Sequence, residues 1–316
     1  MRSETLCYFQ SGIGNLILAT PAFKALASLD PSGKVDVLLD PRFQRDSRYR
    51  AITEILGLAP FVGEVVLFGG QNGHYKRYFV PIQSETSNAG HHVCRKSPRK
   101  GAWPGARWRI DGLHEIEVNM TFVRAYGYKG PLPKPFAPVA VKPILSGPRP
   151  WIGLCNSSFG SVVWEKKRWE WFPEMAQVAR REWGGTIFGV GGKGDLSEVP
   201  GIENFSGKTS ISETGKILSQ LDLFITTDTG CMHIADALGV PLIALFGPTM
   251  TSKNAPVGRH GHYLRSELIC SPCQYTARFA TCREYRCLRS IEPRDVVKAV
   301  RELKLLPGDR KEQEVR

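Results

Sequence analysis

The sequence predicts an α/β protein made of two Rossmann-like parallel-sheet domains. Residues 5–68 and 151–248 each alternate buried-strand patterns with helical ones, the order that builds parallel sheets. A proline-rich segment at 131–150 separates them. Residues 224–248, FITTDTGCMHIADALGVPLIALFGP, show the alternation most cleanly: strand, Asp-Thr-Gly turn, helix, strand and a Gly-Pro stop.

Taken in order, residues 5–9 (TLCYF) predict a first strand. The loop SGIGN follows, then the helical LILATPAFKALASL. Residues 34–39 form the second strand, broken by Asp40-Pro41. A short helix at 51–58 and a strand at 64–68 come next, and from 69 to 108 the pattern dissolves. Residues 112–126 are helical through Leu113, Ile116, Val118 and Met120, with Gly127 as the stop. Seven prolines between 131 and 150 exclude a regular helix and favour an extended linker. Beyond it come strand 151–154, a polar loop at 156–160, helix 172–183, strand 186–190, the turn GGKGD, helix 212–220 and strand 223–226. The domains expected are 1–145 and 150–316, with a ligand in the cleft between them.

At 316 residues the chain is long enough for two cores, and 42% hydrophobic and 23% charged residues suit a globular protein. No apolar run approaches the roughly 20 residues of a membrane span. The first residues lack the pattern of a signal peptide, so a cytoplasmic protein is expected. The net charge of +12 favours an anionic partner: phosphorylated sugar, nucleotide, anionic lipid surface or nucleic acid.

Four loops of the second half fall at strand ends: 156–160, 164–169, 191–195 and 227–233. They should share one sheet edge. Ser157, Ser158 and Thr229 can donate to phosphate oxygens, Lys167 adds a full charge, and Asp195 or Glu198 can accept from a ribose. Asp228, Thr229 and Gly230 form a turn at a helix N-terminus, with His233 in the first helical turn. An ordinary strand–helix crossover would read the same way at this turn alone. No Asp-x-Asp occurs, which favours leaving-group stabilisation by protein donors over a metal-bridged diphosphate.

Residues 95–109 hold six Lys or Arg and no carboxylate, with Trp103 and Trp108 between them. Arg99, Lys100 and Arg107 suit the phosphates of an anionic acceptor. Single-stranded nucleic acid is the other fit and the less favoured one. Cys270, Cys273, Cys282 and Cys287 have the spacing C-x2-C-x8-C-x4-C, suited to a structural zinc or iron on four thiolates; reduced structural thiols are the alternative.

The segments GIGNLILATPAFKAL, DGLHEIEVNMTFVRAYG, KKRWEWFPEMA, GVGGKGD, DTGCMHIADALGVPLIALFGPT and CSPC…CLRSIEPRDVVKAV resemble glycosyltransferase family 9, the ADP-heptose-dependent heptosyltransferases of lipopolysaccharide core synthesis. The resemblance implies a GT-B fold, with an acceptor-binding first domain and a nucleotide-sugar-binding second one. It also implies inverting transfer with no catalytic cofactor, from ADP-heptose to an anionic glycan or glycolipid, with peripheral contact at the inner membrane face. It lays Ser157, Ser158, Lys167, Asp195, Asp228, Thr229, Gly230 and His233 on the donor site and Gly14 on the acceptor side. The family's first loop reads Gly-Asp, the Asp being the expected base; this chain has Gly14-Asn15. A carboxamide cannot take the proton of an attacking hydroxyl. Three readings follow. Asp40, Asp111, His114 or Glu115 supplies the base; Asn15 only orients the hydroxyl while solvent takes the proton; or the chain has little activity. A protein O-heptosyltransferase, or a non-catalytic nucleotide-sugar or nucleic-acid binder, is the alternative function.

Overall fold

The structure is a computed structural model and describes residues 1–39, 44, 48–67, 75–82, 112–158 and 164–306. The chain divides into two compact units, Met1–Pro138 and Val139–Arg316.

The first unit holds a four-stranded parallel sheet in the order β3-β2-β1-β4, from β1 (Thr5–Phe9), β2 (Val35–Leu39), β3 (Val62–Leu67) and β4 (Arg77–Phe79). All five residues of β1 are buried, because both faces of a parallel sheet are covered by helices. Strand β4 lies inside the stretch where the sequence pattern dissolves; three residues are too few to show a period. Helix α1 (Ile13–Ser28) follows β1 and is buried along most of its length. Pro21 sits inside it and lacks the N–H that would reach Ile17. The Thr20 hydroxyl donates to that same Ile17 carbonyl at 2.6 Å, which replaces the lost bond. The remaining helices are α2 (Tyr49–Leu58) and α3 (Glu115–Ala125), and α3 packs on α1. Helix α3 begins at 115 and not 112, because the His114 side chain caps it: Nδ1 accepts from Ile116 N at 3.3 Å.

The second unit has a six-stranded parallel sheet in the order β10-β9-β8-β5-β6-β7. Its strands are β5 (Trp151–Cys155), β6 (Thr186–Gly189), β7 (Glu203–Asn204), β8 (Leu223–Thr227), β9 (Leu242–Phe246) and β10 (Gly261–Arg265). Read from β7, this is the 3-2-1-4-5-6 order of the doubly wound fold, and its switch point lies between β5 and β8. The helices are α4 (Phe172–Trp183), α5 (Ile211–Gln220), α6 (Gly230–Ala237), α7 (Thr251–Asn254), α8 (Ala277–Thr281), α9 (Arg286–Arg289) and α10 (Pro293–Glu302). The core gathers Trp169, Phe172 and Met175 against Ile152, Leu223 and Ile243, and Val296 and Val300 of α10 close it. The proline-rich segment is bonded to this unit: Ala140 N donates to Ser212 O at 2.9 Å, and Ile144 N to Gln220 Oε1 at 3.0 Å. No helix among the described residues is long and apolar enough to cross a membrane.

Candidate functional site

The chain leaves β5 at Asn156, whose side chain brackets the backbone of Trp169: Oδ1 accepts from Trp169 N at 2.8 Å and Nδ2 donates to its carbonyl at 3.0 Å. This clamp holds a 3-10 turn, Trp164–Lys167, against the strand end. Ser157 donates to Asp195, the Gly192 amide donates to Asp195 Oδ2 at 2.6 Å, and Arg168 Nη2 lies 2.8 Å from Asp195 Oδ1. Ser158 Oγ donates to Glu165 Oε1 at 2.7 Å, and Arg168 Nε reaches Glu165 Oε2 at 2.5 Å. The loops after β5 and β6 are thereby one hydrogen-bonded body. Gly191 makes the close approach possible. Its φ is +150°, and a Cβ there would lie 2.6 Å from Ser157 Oγ and 2.7 Å from Asp195 Oδ2.

Across the switch point, Asp228 follows β8 and Thr229 caps α6, its Oγ1 accepting from Met232 N at 3.3 Å. Lys167 Nζ lies 3.0 Å from Asp228 Oδ2, and His233 Nε2 lies 4.0 Å from Oδ1. Burial alone would raise the Asp228 carboxyl. The Lys167 and His233 charges outweigh it and hold the carboxyl below its usual range. At the base of the site Cys155 Sγ is 3.8 Å from Thr229 Oγ1. A hydrogen bond from Cys231 pulls the Cys155 thiol down to about 7 against the effect of burial, and Cys231 is pushed up in return.

Ser157, Ser158, Lys167, Asp195, Asp228, Thr229, Gly230 and His233 therefore converge on the carboxyl edge of one sheet. Arg168 and the Cys155–Cys231 pair belong to the same cluster. A run of three basic residues does not say which of them turns inward, so Arg168 was legible only as one charge among three. Lys166 turns away. It is buried and donates to the carbonyls of Phe279 and, at 2.9 Å, Ala280.

In the first unit the first turn of α1 carries Gly14 and Asn15. Asn15 Oδ1 accepts from Ser11 Oγ at 2.9 Å, and Nδ2 donates to Glu115 Oε2 and Oε1 at 3.0 and 3.2 Å. A Cβ at Gly12 would touch Asn15 Oδ1 at 3.3 Å and lie 3.9 Å from Arg48 Nη1, which puts a cation beside this turn. His114 Nδ1 accepts from Ile116 N in its capping bond at 3.3 Å. Asp40, Asp111, Arg99, Lys100 and Arg107 lie outside the described residues.

Cys270, Cys273, Cys282 and Cys287 are free thiols near enough for burial and one another's charge to push Cys273 and Cys287 up, Cys287 to about 11. Among the described residues no group of three or more His, Cys, Asp or Glu is arranged to hold a metal ion. As placed, the four thiols do not fit a metal centre, and the Lys166 ammonium contributes its charge beside Cys273 and Cys282.

A family profile described as glycosyltransferase family 9 (heptosyltransferase) matches residues 143–282, which include every residue of the second-unit cluster above. Over this span the chain resembles glycosyltransferase family 9. A curated relative, lipooligosaccharide heptosyltransferase 2 of Campylobacter jejuni, is 28% identical over 163 residues, 47% of this chain and 49% of that protein. The chain thus spans about half the length of the curated relatives it matches in this way. The fold likeness is wider. The Escherichia coli ADP-heptose lipopolysaccharide heptosyltransferase II structure superposes with a TM-score of 0.68 at 20% identity, over 95% of this chain and 98% of that one. The iron-containing dodecameric glycosyltransferase TibC of enterotoxigenic E. coli gives 0.62 at 12% identity, over 95% and 75%. With two parallel sheets interleaved by helices and this likeness, the fold of the chain is GT-B.

Proposed function

We propose that the chain is a glycosyltransferase that moves a heptose from ADP-heptose to an anionic glycan of a lipopolysaccharide core, with inversion at the anomeric carbon. One observation carries the reading. Lys167, Arg168, His233, two serines and the amides opening α6 meet at the switch point of the second sheet, where a departing diphosphate gains most from fixed positive charge. The acceptor hydroxyl attacks the anomeric carbon, and the bond to phosphate breaks with its electron pair leaving on the nucleotide. Lys167 and Arg168 supply the counter-charge, which supports a chemical step without metal. Asp195 acts by holding Ser157 and the Gly192 amide in place. The names of the relatives support the sugar and the nucleotide. The acceptor side falls to the first unit, with Gly14 and the basic residues Arg99, Lys100 and Arg107. The excess of positive charge supports peripheral attachment to the inner face of the cytoplasmic membrane.

Thermal stabilisation by ADP-, UDP- and GDP-sugars tests the reading, because binding to the folded state adds directly to stability. ADP-heptose should raise Tm, and Lys167→Met should abolish the rise. A protein stabilised by no nucleotide sugar but bound by random oligonucleotides in a salt-sensitive way is a nucleic-acid binder. A zinc or iron at the four cysteines belongs to the same proposal. Its support is their spacing and the iron-containing character of TibC, and it requires the thiols to draw together from where they stand. Metal analysis of untagged, anaerobically purified protein decides it, and a stoichiometry near zero rejects it.

A further inference from the structure

The first turn of α1 carries an amide, and the amide is tied to a carboxylate a hundred residues away. Asn15 is in the first turn of α1, and Glu115 is the first residue of α3. Glu115 is completely buried, yet both of its oxygens accept from Asn15 Nδ2, at 3.0 and 3.2 Å. A buried carboxylate is tolerated only with partners that offset its lost hydration, and the N-terminus of α3 adds a favourable field. The pairing also fixes which way the Asn15 amide faces. Its nitrogen is committed to Glu115, so its oxygen must face Ser11, whose hydroxyl donates to it at 2.9 Å. An amide oxygen has two lone pairs, and the Ser11 bond uses one. The second can accept from a sugar hydroxyl.

We propose that Glu115 is a positioning residue for the transfer step: it locks the Asn15 amide with its oxygen toward the acceptor hydroxyl and places a unit of negative charge behind it. This rests on the glycosyltransferase reading above. As the hydroxyl oxygen bonds to the anomeric carbon, positive charge develops on it, and the bond to the departing diphosphate breaks with its electron pair. The hydroxyl proton then passes to water. Asn15 orients that hydroxyl, and the fixed charge of Glu115 opposes the positive charge that builds there. The missing carboxylate of the first loop has been moved one layer inward.

The pair can be exchanged across the contact, which gives the test. In the full-length chain, Glu115→Gln removes the charge and lets the amides face either way. It should lower kcat about 100-fold with the donor KM unchanged. Asn15→Asp sets two carboxylates against each other, so one must hold a proton, and it should fall by a similar factor. The double variant Asn15→Asp/Glu115→Gln keeps one carboxylate and one amide in contact and should recover to within about tenfold of the starting enzyme. If Glu115→Gln turns over at the wild-type rate, or if the double variant is no faster than the slower single, the inference is wrong. Should Glu115→Gln not fold, the double variant alone decides: inactive but folded, it rejects the role. A wild-type chain that neither binds nor turns over a nucleotide sugar removes the functional reading and this inference together. A working wild type with an equally fast Glu115→Gln removes only the inference.

Discussion

Lys166 and Lys167 stand side by side in one 3-10 turn and serve different partners. Lys167 faces Asp228, in a pair only 15% and 10% exposed. Removing one member of so buried a pair leaves the other charge uncompensated, so Lys167→Met should cost about 3 kcal/mol in a denaturant titration. The pH response has a definite sign. The folded Asp228 carboxyl sits below its unfolded value, near 3.9, so its contribution is complete above that value and is lost as pH falls through the lowered folded one. With Lys167 gone, burial dominates and the carboxyl rises, so the acid unfolding midpoint of Lys167→Met should move to higher pH. Gly191→Ala gives a second prediction. A side chain at φ +150° would also strike Ser157 and Asp195, so the variant should lose roughly 1–3 kcal/mol and most of its donor-induced stabilisation. Sequence shows Lys167 and Gly191 as members of a basic run and a Gly-rich turn. The family resemblance singles out Lys167, but the spacing alone does not show which lysine turns inward, since a 3-10 turn of four residues has no periodicity to read.

Among the elements, α6 and the cysteine-bearing loop respond to single changes. Thr229→Ala removes the cap of α6 and should cost about 1 kcal/mol, with a larger effect on donor binding if the freed amides lose their alignment. Lys166→Met strips the donor from the carbonyls of Phe279 and Ala280, which fasten α8 to the 3-10 turn. Hydrogen exchange across 270–287 should then rise before global stability falls. The long buried strands and α1 were legible because each carries a full period of apolar residues. The two- and three-residue strands β7 and β4 were not, since their pairing is decided by neighbours in the sheet. The start of α3 was misread by three residues because a histidine cap does not announce itself as Ser or Asp would.

For the molecule as a whole, sequence similarity and fold similarity have different reach. The family profile stays within the second unit, while the GT-B likeness covers nearly the whole chain. A site that must grip a diphosphate tolerates few residue types, whereas a sheet core accepts many apolar sequences of the right volume. The second unit has its own sheet and core and holds every residue proposed to bind the donor, so a 139–316 fragment should fold and keep the ADP-heptose response. A fragment that melts without cooperativity would show that the cores depend on each other. One oxygen in the first unit has a double duty. The Thr20 hydroxyl that mends α1 below Pro21 also accepts from Phe136 N at 2.8 Å, so a repair inside a helix doubles as a fastener for the strap that leaves the unit. Thr20→Val should undo both at once, with hydrogen exchange at the Phe136 amide rising before global stability falls.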